Sequence, residues 1–254
     1  MFLNNILLRT FLFFLIIIFI SCNYYSSSKE LVNENSSLEK LESKKSLVKM
    51  DSFSPNKVTH NLYSEFELSE FKNSTFVILN RVDSTFLFDM KYATSNNFLK
   101  EKVYDCDHCL LRLETAMQLV KANDSFKKLG LKIKLYDCYR PLEVQKIMWK
   151  IYPDKRYVAN PKKGSNHNRG SAVDITLVDM KGKELPMGTT FDFFGKKAHH
   201  SYKKLPKNVL ENRKILKGLM EVNGFESITS EWWHYNLLKS YKYEISDFKT
   251  ECDN

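Results

Sequence analysis

Two short segments constrain the fold of this chain more than any other feature of its sequence. Residues 165–174 read Ser-Asn-His-Asn-Arg-Gly-Ser-Ala-Val-Asp, and residues 231–234 read Glu-Trp-Trp-His. Together they supply two imidazoles and two carboxylates, which belong to His167, Asp174, Glu231 and His234. If these groups act together, the fold must bring a loop and two strands that are far apart in sequence into one place.

The residue types of this set are those of a catalytic metal site. Imidazole and carboxylate groups suit zinc, and a catalytic zinc ion takes three protein ligands and keeps a fourth position for water. Gly170 permits a tight bend, so that the loop of His167 can fold back beside the predicted strand of Asp174. His234 then supplies the third ligand from a distant strand. The pattern predicts one Zn²⁺ per chain and a metal-dependent hydrolase.

Glu231 fits the role of a general base better than that of a ligand, because a carboxylate can move a proton from water to a leaving amine. Residues three apart in an extended segment point to opposite faces, so a turn or bulge is expected between Glu231 and His234. The motif His-Glu-x-x-His of helical zinc peptidases is absent from the sequence. Arg140, at a predicted strand-to-helix junction, can direct its guanidinium group at a developing oxyanion.

Each of these residues also has an ordinary structural explanation when it is taken alone. Asp174 could cap a turn or pair with Arg169, and Trp232 and Trp233 are typical of a core or a pocket wall. The remaining histidines are expected to be ordinary polar residues, namely His60, His108, His199 and His200. The functional interpretation therefore depends on the co-occurrence of the set in this order.

The amino terminus predicts an export signal. Arg9 is the only charged side chain in the first 28 residues, and Phe11 to Ile20 is an apolar run too short to span a bilayer comfortably. The run ends in Ile20-Ser21-Cys22, which resembles the lipobox of bacterial lipoproteins, so residues 1–22 are expected to be a signal peptide with lipidation at Cys22. An ordinary signal peptide, an uncleaved anchor and a membrane span over 6–20 are the alternatives.

Composition divides the rest of the chain. Residues 23–74 are rich in Ser, Asn, Lys and Glu and predict a mostly disordered tether, whereas residues 75–254 are expected to form the catalytic domain. The formal net charge is +9, but the lysines are scattered, so no nucleic-acid partner is expected. The predicted setting is a bacterial cell envelope, with membrane attachment through the lipid anchor and no obligate protein partner.

Strands and helices alternate in the predicted domain. Strands are predicted over 75–79, 85–88, 131–136 and 172–178, with a strand pair within 227–237. Helices are predicted from residue 109 to a cap at Gly130, over 140–152, and over 206–223. One face of the first helix is expected to carry Leu110, Leu113, Met117 and Val120. The short, mixed connections indicate an α+β fold with a mostly antiparallel central sheet flanked by helices.

Four cysteines follow Cys22, at positions 106, 109, 138 and 252. The C-x-x-C spacing of Cys106 and Cys109 has no second copy, so a four-sulfur zinc site is not expected. Export makes disulfides possible, and structural thiols or one disulfide that could involve Cys138 are expected. The sequence does not determine the pairing.

Several ordered motifs carry a resemblance to a known family over roughly residues 76–245. They are Tyr92-Ala93-Thr94 with Asn97-Phe98, Cys109 to Arg112, Asp137 to Pro141, Ser165 to Asp174, Pro186 to Asp192, and Glu231 to His234. The chain resembles the D-alanyl-D-alanine dipeptidases, the zinc enzymes of vancomycin-resistance operons and their chromosomal relatives. These belong to a wider group of metallopeptidases with the hedgehog-type fold.

The resemblance implies a role for each matching residue. The family's zinc ligands are matched by His167, Asp174 and His234, its general base by Glu231, and the arginine that polarises the scissile carbonyl by Arg140. Positions lining the substrate pocket are matched by Tyr92, Asp137, Ser165 and Asp192. Many relatives lack the lipoprotein signal and the tether, which bears on location rather than on chemistry.

The implied activity is hydrolysis of D-Ala-D-Ala to two D-alanines in cell-wall peptide metabolism, and the sequence leaves resistance, wall recycling and nutrition open as physiological roles. One alternative is a D,D- or L,D-carboxypeptidase that trims peptidoglycan stem peptides, although the pocket-closing match over 186–192 favours the dipeptidase. The other is a non-catalytic, zinc-containing wall-binding lipoprotein. Glu231 argues against it, because a binding site needs no base.

Overall fold

The computed structural model describes residues 62–249 and 252, which lie within one compact unit, Val58–Asn254. The predicted signal peptide with Cys22, residues 23–61 of the predicted tether and His60 lie outside the described residues. Among the described residues, no helix is both long and apolar enough to cross a bilayer. The described part contains every predicted metal, catalytic and pocket residue.

Helices and strands alternate along the described chain. The α-helices are α1 (Glu65–Glu70), α2 (Leu79–Val82), α3 (Leu113–Lys127), α4 (Leu142–Ile151) and α5 (Lys207–Val222). The strands are β1 (Phe76–Ile78), β2 (Leu87–Phe88), β3 (Leu110–Arg112), β4 (Leu131–Asp137), β5 (Ala172–Asp179), β6 (Phe225–Ser227) and β7 (His234–Leu237). Short 3-10 helices cover Lys91–Ala93, His167–Arg169, Lys196–Ala198 and Ser240–Lys242.

The strands form two sheets. The larger sheet has five strands in the order β2-β4-β5-β7-β6, in which β2 is parallel to β4 and the other pairs are antiparallel. The smaller sheet pairs β1 with β3 in antiparallel register. The predicted α+β class with a mostly antiparallel central sheet is confirmed. Strand β5 is the middle strand and is buried from Ala172 to Val178, so Asp174 is a charged group inside a buried, mostly apolar run.

Helix α3 contributes an apolar face to the core. Its buried apolar side chains recur at intervals of three and four residues, at Leu113, Ala116, Leu119, Ala122 and Phe126. Asn123 links the helix to β4, because its Oδ1 accepts a hydrogen bond from the backbone N–H of Ile133 at 3.0 Å. Met117, which was predicted on the same face as Leu113, is 38% exposed.

The predicted helix start at Cys109 is wrong, because residues 110–112 form β3. Leu110 pairs with Ile78 and Leu111 with Val77, and this pairing satisfies the backbone before the helix begins at Leu113. A short apolar run is compatible with either a strand or a helix, and only the partner strand β1 decides between them.

The described residues begin at Leu62, which lies before the predicted domain boundary at residue 75. Helix α1 has a capping box, in which Ser64 Oγ accepts from the N–H of Glu67 at 3.2 Å and the Glu67 carboxylate accepts from the N–H of Ser64 at 2.8 Å. Tyr63 N–H donates to the carbonyl of Arg81 at 2.7 Å. The residues just before β1 thus include a capped helix and a hydrogen bond to the segment that follows β1.

The four cysteines of the domain form two disulfides, Cys106–Cys252 and Cys109–Cys138. The C-x-x-C cysteines do not pair with each other. Each of them is joined to a residue that is remote in sequence, which explains why the spacing could not give the connectivity. The sequence predicted at most one disulfide, whereas the described residues form two.

Candidate metal centre

Three side chains converge where β5, β7 and the turn before β5 meet. His167 opens the 3-10 helix His167–Arg169, which Gly170 ends with a left-handed φ of 70°. Asp174 lies on β5 and His234 begins β7, and the antiparallel register places these two residues directly opposite each other. The sheet register thus brings together two residues that are sixty positions apart.

The three facing atoms are His167 Nε2, Asp174 Oδ1 and His234 Nδ1. Asp174 Oδ1 lies 3.3 Å from His167 Nε2 and 3.0 Å from His234 Nδ1, and the two nitrogens are 3.1 Å apart. Tetrahedral ligands with bonds of about 2.0–2.1 Å have edges of roughly 3.3 Å, so the spacing of these atoms fits one zinc ion. Within the described residues, this is the group of histidine, cysteine and acidic side chains with metal-site spacing.

Hydrogen bonds on the far side of each imidazole leave the facing nitrogen free to bind a metal. His167 Nδ1–H donates to the carbonyl oxygen of Cys138 at 2.7 Å, and His234 Nε2–H donates to Asn236 Oδ1 at 2.8 Å. Both partners are oxygen acceptors, so the proton of each neutral imidazole lies on the far nitrogen. Neutral imidazoles with fixed orientation, beside a carboxylate, form a donor set that fits zinc.

In the metal-free protein, neighbouring groups shift the pKa values of Asp174 and His234. Burial opposes ionisation of Asp174, but the charges and hydrogen bonds of His167 and His234 outweigh it and lower the pKa of the carboxyl group. Burial alone would lower the pKa of His234, yet its contact with Asp174 raises that pKa to about 9. A proton therefore occupies the site at neutral pH when no metal is bound.

Glu231 lies beside the three residues, in the segment that enters β7. It lines the same cavity, of about 350 Å³, as His167, Asp174 and His234. Burial raises the pKa of the Glu231 carboxyl group, although the nearby His234 partly opposes this shift. The intervening Trp232 and Trp233 are each 2% exposed, and Trp232 Nε1–H donates to Thr189 Oγ1 at 2.7 Å. The irregular segment before β7 thus provides the predicted turn.

Arg140 lies on another wall of this cavity and is held by two acceptors. Its Nη2 donates to Asp137 Oδ2 at 2.6 Å, and its Nη1 donates to Gln145 Oε1 at 3.0 Å. The Nε–H group is buried and has no hydrogen-bond partner among the described residues. A buried donor without a partner is costly, so this N–H group is suited to a ligand oxygen.

The remaining pocket residues occupy different places. Tyr92 and Asp192 line the cavity together, and the Tyr92 hydroxyl donates to Asp192 Oδ2 at 2.9 Å. Ser165 also lines it, and its Oγ accepts from the N–H of His167 at 3.1 Å. Asp137 differs from the prediction: it is fully buried behind Arg140 and does not line the cavity, although its Oδ2 also lies 3.6 Å from His167 Nδ1.

Some residues that hold the site were not singled out from the sequence. Asn236 lies two residues after His234 on the same strand, so the two-residue period of a strand would have placed it on the same face. Gln145 is a buried polar residue beside Val144 on the inner side of α4. Cys138 contributes through its backbone carbonyl, for which the sequence carries no signal.

The other described histidines lie away from the metal centre. His108 lines a separate cavity near Cys106, and His200 lies beside α5 in another. Neither these nor His199 belongs to the group with metal-site spacing.

Sequence comparison matches this chain to a known protein family. Residues 72–251 match the peptidase M15 family, which is described as D-ala-D-ala dipeptidase. A D-alanyl-D-alanine dipeptidase of Escherichia coli (strain K12) is 35% identical over 65% of this chain and 85% of its own length. One of Enterococcus faecium is 33% identical over 68% of this chain and 96% of its own length.

A solved structure of a mutant vancomycin resistance D,D-pentapeptidase, VanY, in complex with Zn(II) is also similar, at 15% identity. The match has a TM-score of 0.37 and covers 55% of this chain and 79% of the other.

The domain has an α+β fold in which two histidines and an aspartate have metal-site spacing, with a glutamate and an arginine in the same cavity. This combination is that of a metallopeptidase. Within this class of enzyme, the match over residues 72–251 identifies the family. The chain belongs to the M15 family of D-Ala-D-Ala dipeptidases.

Proposed function

We propose that this chain is a zinc-dependent dipeptidase that hydrolyses D-Ala-D-Ala to two D-alanines. The observation that carries the proposal is the convergence of three ligand atoms within one cavity that also holds Glu231 and Arg140. The family and its curated relatives supply the substrate, since their descriptions name this dipeptide.

A zinc ion held by His167, Asp174 and His234 would lower the pKa of a water molecule and polarise the scissile carbonyl. Glu231 accepts the proton of the attacking water at its carboxylate and then returns it to the departing amine nitrogen. Its raised pKa supports both transfers, because an acid–base group works best when its pKa approaches the operating pH.

Arg140 stabilises the negative charge that develops on the carbonyl oxygen. Asp137 and Gln145 hold two arms of the guanidinium group, and the buried Nε–H has no partner among the described residues, so the group keeps N–H donors for a substrate oxygen. Because both partners are buried, the donor is oriented before the substrate arrives. One donor of this kind contributes about 2.7–4 kcal/mol to transition-state stabilisation.

Asp192 is suited to the free amino group of a dipeptide. Burial and, after it, the charge of Asp174 raise the pKa of the Asp192 carboxyl group well above 3.8. The ionised carboxylate is therefore unfavourable in the free site, and a bound ammonium group would offset that cost. The Tyr92 hydroxyl orients this carboxylate. A site for a terminal ammonium next to the scissile bond favours a free dipeptide over a long stem peptide.

The test combines metal analysis with a substrate comparison. We expect purified protein to contain about one zinc ion per chain, as in sites with three protein ligands, and to release D-alanine from D-Ala-D-Ala faster than from a pentapeptide ending in the same dipeptide. Preference for the pentapeptide would instead support a D,D-carboxypeptidase. Absence of turnover on both, with zinc present, would support the wall-binding alternative.

We further propose that the enzyme is exported and attached to a bacterial membrane through lipid on Cys22. The two disulfides of the domain support an oxidising compartment, because such bonds are rare in the cytosol. Replacing Cys22 with Ala should abolish incorporation of labelled fatty acid into the protein. Unchanged labelling would contradict lipidation.

A further inference from the structure

The segment that follows β4 holds two parts of the site. The Cys138 carbonyl accepts from His167 Nδ1 at 2.7 Å, and the Cys138 N–H donates to Asp137 Oδ1 at 2.9 Å. Asp137 in turn binds Arg140 at 2.6 Å. One residue, Cys138, thus contacts both a metal ligand and the carboxylate that orients the arginine.

Regular sheet pairing does not extend over this segment. Strand β4 ends at Asp137, and its register with β5 shifts between Leu135 and Asp137. Beyond that point Tyr139 N–H donates to the Leu110 carbonyl at 2.9 Å, which docks the segment on β3. Arg140 N–H also donates to the His167 carbonyl at 3.1 Å, and Asn168 Nδ2 donates to the Arg140 carbonyl at 2.8 Å, so what the segment lacks is a covalent constraint on Cys138 itself.

The disulfide to Cys109 supplies that constraint. Cys109 directly precedes β3, and its carbonyl accepts from the N–H of Leu79 at 2.9 Å. The bond therefore joins the end of β4, in the larger sheet, to the smaller sheet. Both cysteines are buried, at 2% and 0% exposure, so the link lies inside the domain next to the metal ligands.

We propose that the Cys109–Cys138 disulfide is a positioning element of the metal centre and not only a stabiliser of the fold. It fixes the carbonyl of Cys138, so that His167 presents Nε2 to the metal in one tautomer and one ring orientation. Removing an outer partner of a metal ligand lowers metal affinity or activity by about 10–100-fold. The inference rests on the proposed function in taking His167 as a zinc ligand.

The second disulfide offers a matched control. Cys106–Cys252 spans a sequence separation of 146, against 29 for Cys109–Cys138, so chain entropy predicts that it stabilises the fold at least as much. Among the described contacts, neither of its cysteines binds a metal ligand. A purely structural role predicts comparable losses for both bonds, whereas a positioning role predicts a loss of metal affinity for Cys109–Cys138 alone.

The experiment compares the full-length chain with C109A/C138A and with C106A/C252A. The Zn²⁺ dissociation constant is measured by competition with a chromophoric chelator, alongside kcat and KM and the visible spectrum of the Co²⁺-substituted protein. We expect C109A/C138A to bind Zn²⁺ about 10–100-fold more weakly, to lose kcat more than KM, and to show a shifted Co²⁺ spectrum. C106A/C252A should match the unmodified chain in all of these.

A third variant, C109A/C138V, refills the space of the lost sulfur atoms without a covalent link. It should regain thermal stability but not Zn²⁺ affinity. This outcome would separate the effect of filling the space from the effect of the covalent link on the Cys138 carbonyl. Unchanged Zn²⁺ affinity in C109A/C138A, or equal losses in C106A/C252A, would overturn the proposal. Failure of both Cys109–Cys138 variants to fold, by near-UV circular dichroism, would also overturn it. If the unmodified chain neither binds Zn²⁺ nor turns over D-Ala-D-Ala, the proposed function fails instead.

Discussion

A histidine can bind a metal through either ring nitrogen, and in this site the hydrogen bonds select one. His167 donates from Nδ1 to the Cys138 carbonyl, whereas His234 donates from Nε2 to Asn236. The two nitrogens that face the candidate metal position are therefore of different type, Nε2 from His167 and Nδ1 from His234. The sequence indicated both histidines but not this difference, because Cys138 reaches His167 only through the fold.

Replacing Glu231 with Gln should abolish turnover and leave the metal in place. The amide keeps the size of the side chain but cannot accept a proton, and general acid–base groups contribute about 10²–10⁴-fold to rate. Steady-state kinetics on D-Ala-D-Ala, with metal content measured on the same sample, checks this. Asp174→Asn is the control, since it should lose metal as well as activity. Retained turnover in Glu231→Gln would assign the base to another residue.

Asp192 should make the metal-free protein less stable as the pH rises. Its raised pKa means that the folded protein binds a proton there which the unfolded chain releases, so stability falls between the ordinary value of 3.8 and the raised pKa. Asp192→Asn removes this penalty, and asparagine tolerates the left-handed φ of 54° at this position. The Tm of the variant should exceed that of the unmodified chain by a margin that grows above about pH 4.

The same substitution should raise KM for D-Ala-D-Ala, because the substrate ammonium loses its anionic partner. Tyr92→Phe provides the control: it removes the hydrogen bond to Asp192 but keeps the charge, so its Tm difference should not follow the same pH trend. A margin for Asp192→Asn that does not change with pH would show that its carboxyl group is not held protonated.

At the scale of elements, the sequence predicted most of what positions the site. Strand β5, helix α4 and helix α5 lie close to their predicted ranges, because each has a clear period and a stop signal such as Gly224. Strand β3 was missed because its pairing with β1 is non-local. The local sequence pattern also could not predict the register that sets Asp174 opposite His234, since this register depends on which strands become neighbours.

Gly170 should tolerate alanine far less than Gly130 does. Both have a left-handed φ, of 70° and 71°, so backbone strain of about 1–2 kcal/mol applies to each. A Cβ at Gly170 would lie 2.4 Å from Cε1 of Phe76, whereas at Gly130 it meets nothing within 4 Å. Because Gly170 ends the turn that carries His167, its substitution should weaken Zn²⁺ binding as well as stability.

Urea unfolding and chelator competition on Gly170→Ala and Gly130→Ala measure these two effects separately. Gly130→Ala should lose stability by strain alone and keep its Zn²⁺ affinity. Equal stability losses in the two variants would mean that Phe76 moves aside and that the turn is not constrained by its surroundings.

At the scale of the whole molecule, the site draws on groups that are distant in the chain. His167, Asp174 and His234 come from a turn and two neighbouring strands, and Arg140 comes from the junction between β4 and α4. Two disulfides also join segments of the domain that are 29 and 146 residues apart in the sequence. Sequence motifs identified these residues as a set, but the disulfides and the exclusion of Asp137 from the cavity surface follow only from the folded domain.

Zinc should stabilise the whole domain, because the ion joins three chain segments that the unfolded protein does not hold together. At a free concentration of 1,000 times the dissociation constant, binding adds about 4 kcal/mol, which raises Tm by roughly 8–16 °C for a domain of this size. The increase should grow with pH, because Zn²⁺ must displace the proton that a pKa of about 9 keeps on His234 in the metal-free protein. Calorimetry of chelator-treated protein with added Zn²⁺, between pH 6 and 8, measures both effects. His167→Ala should show little of the increase, and an equal increase in that variant would place the stabilising ion elsewhere.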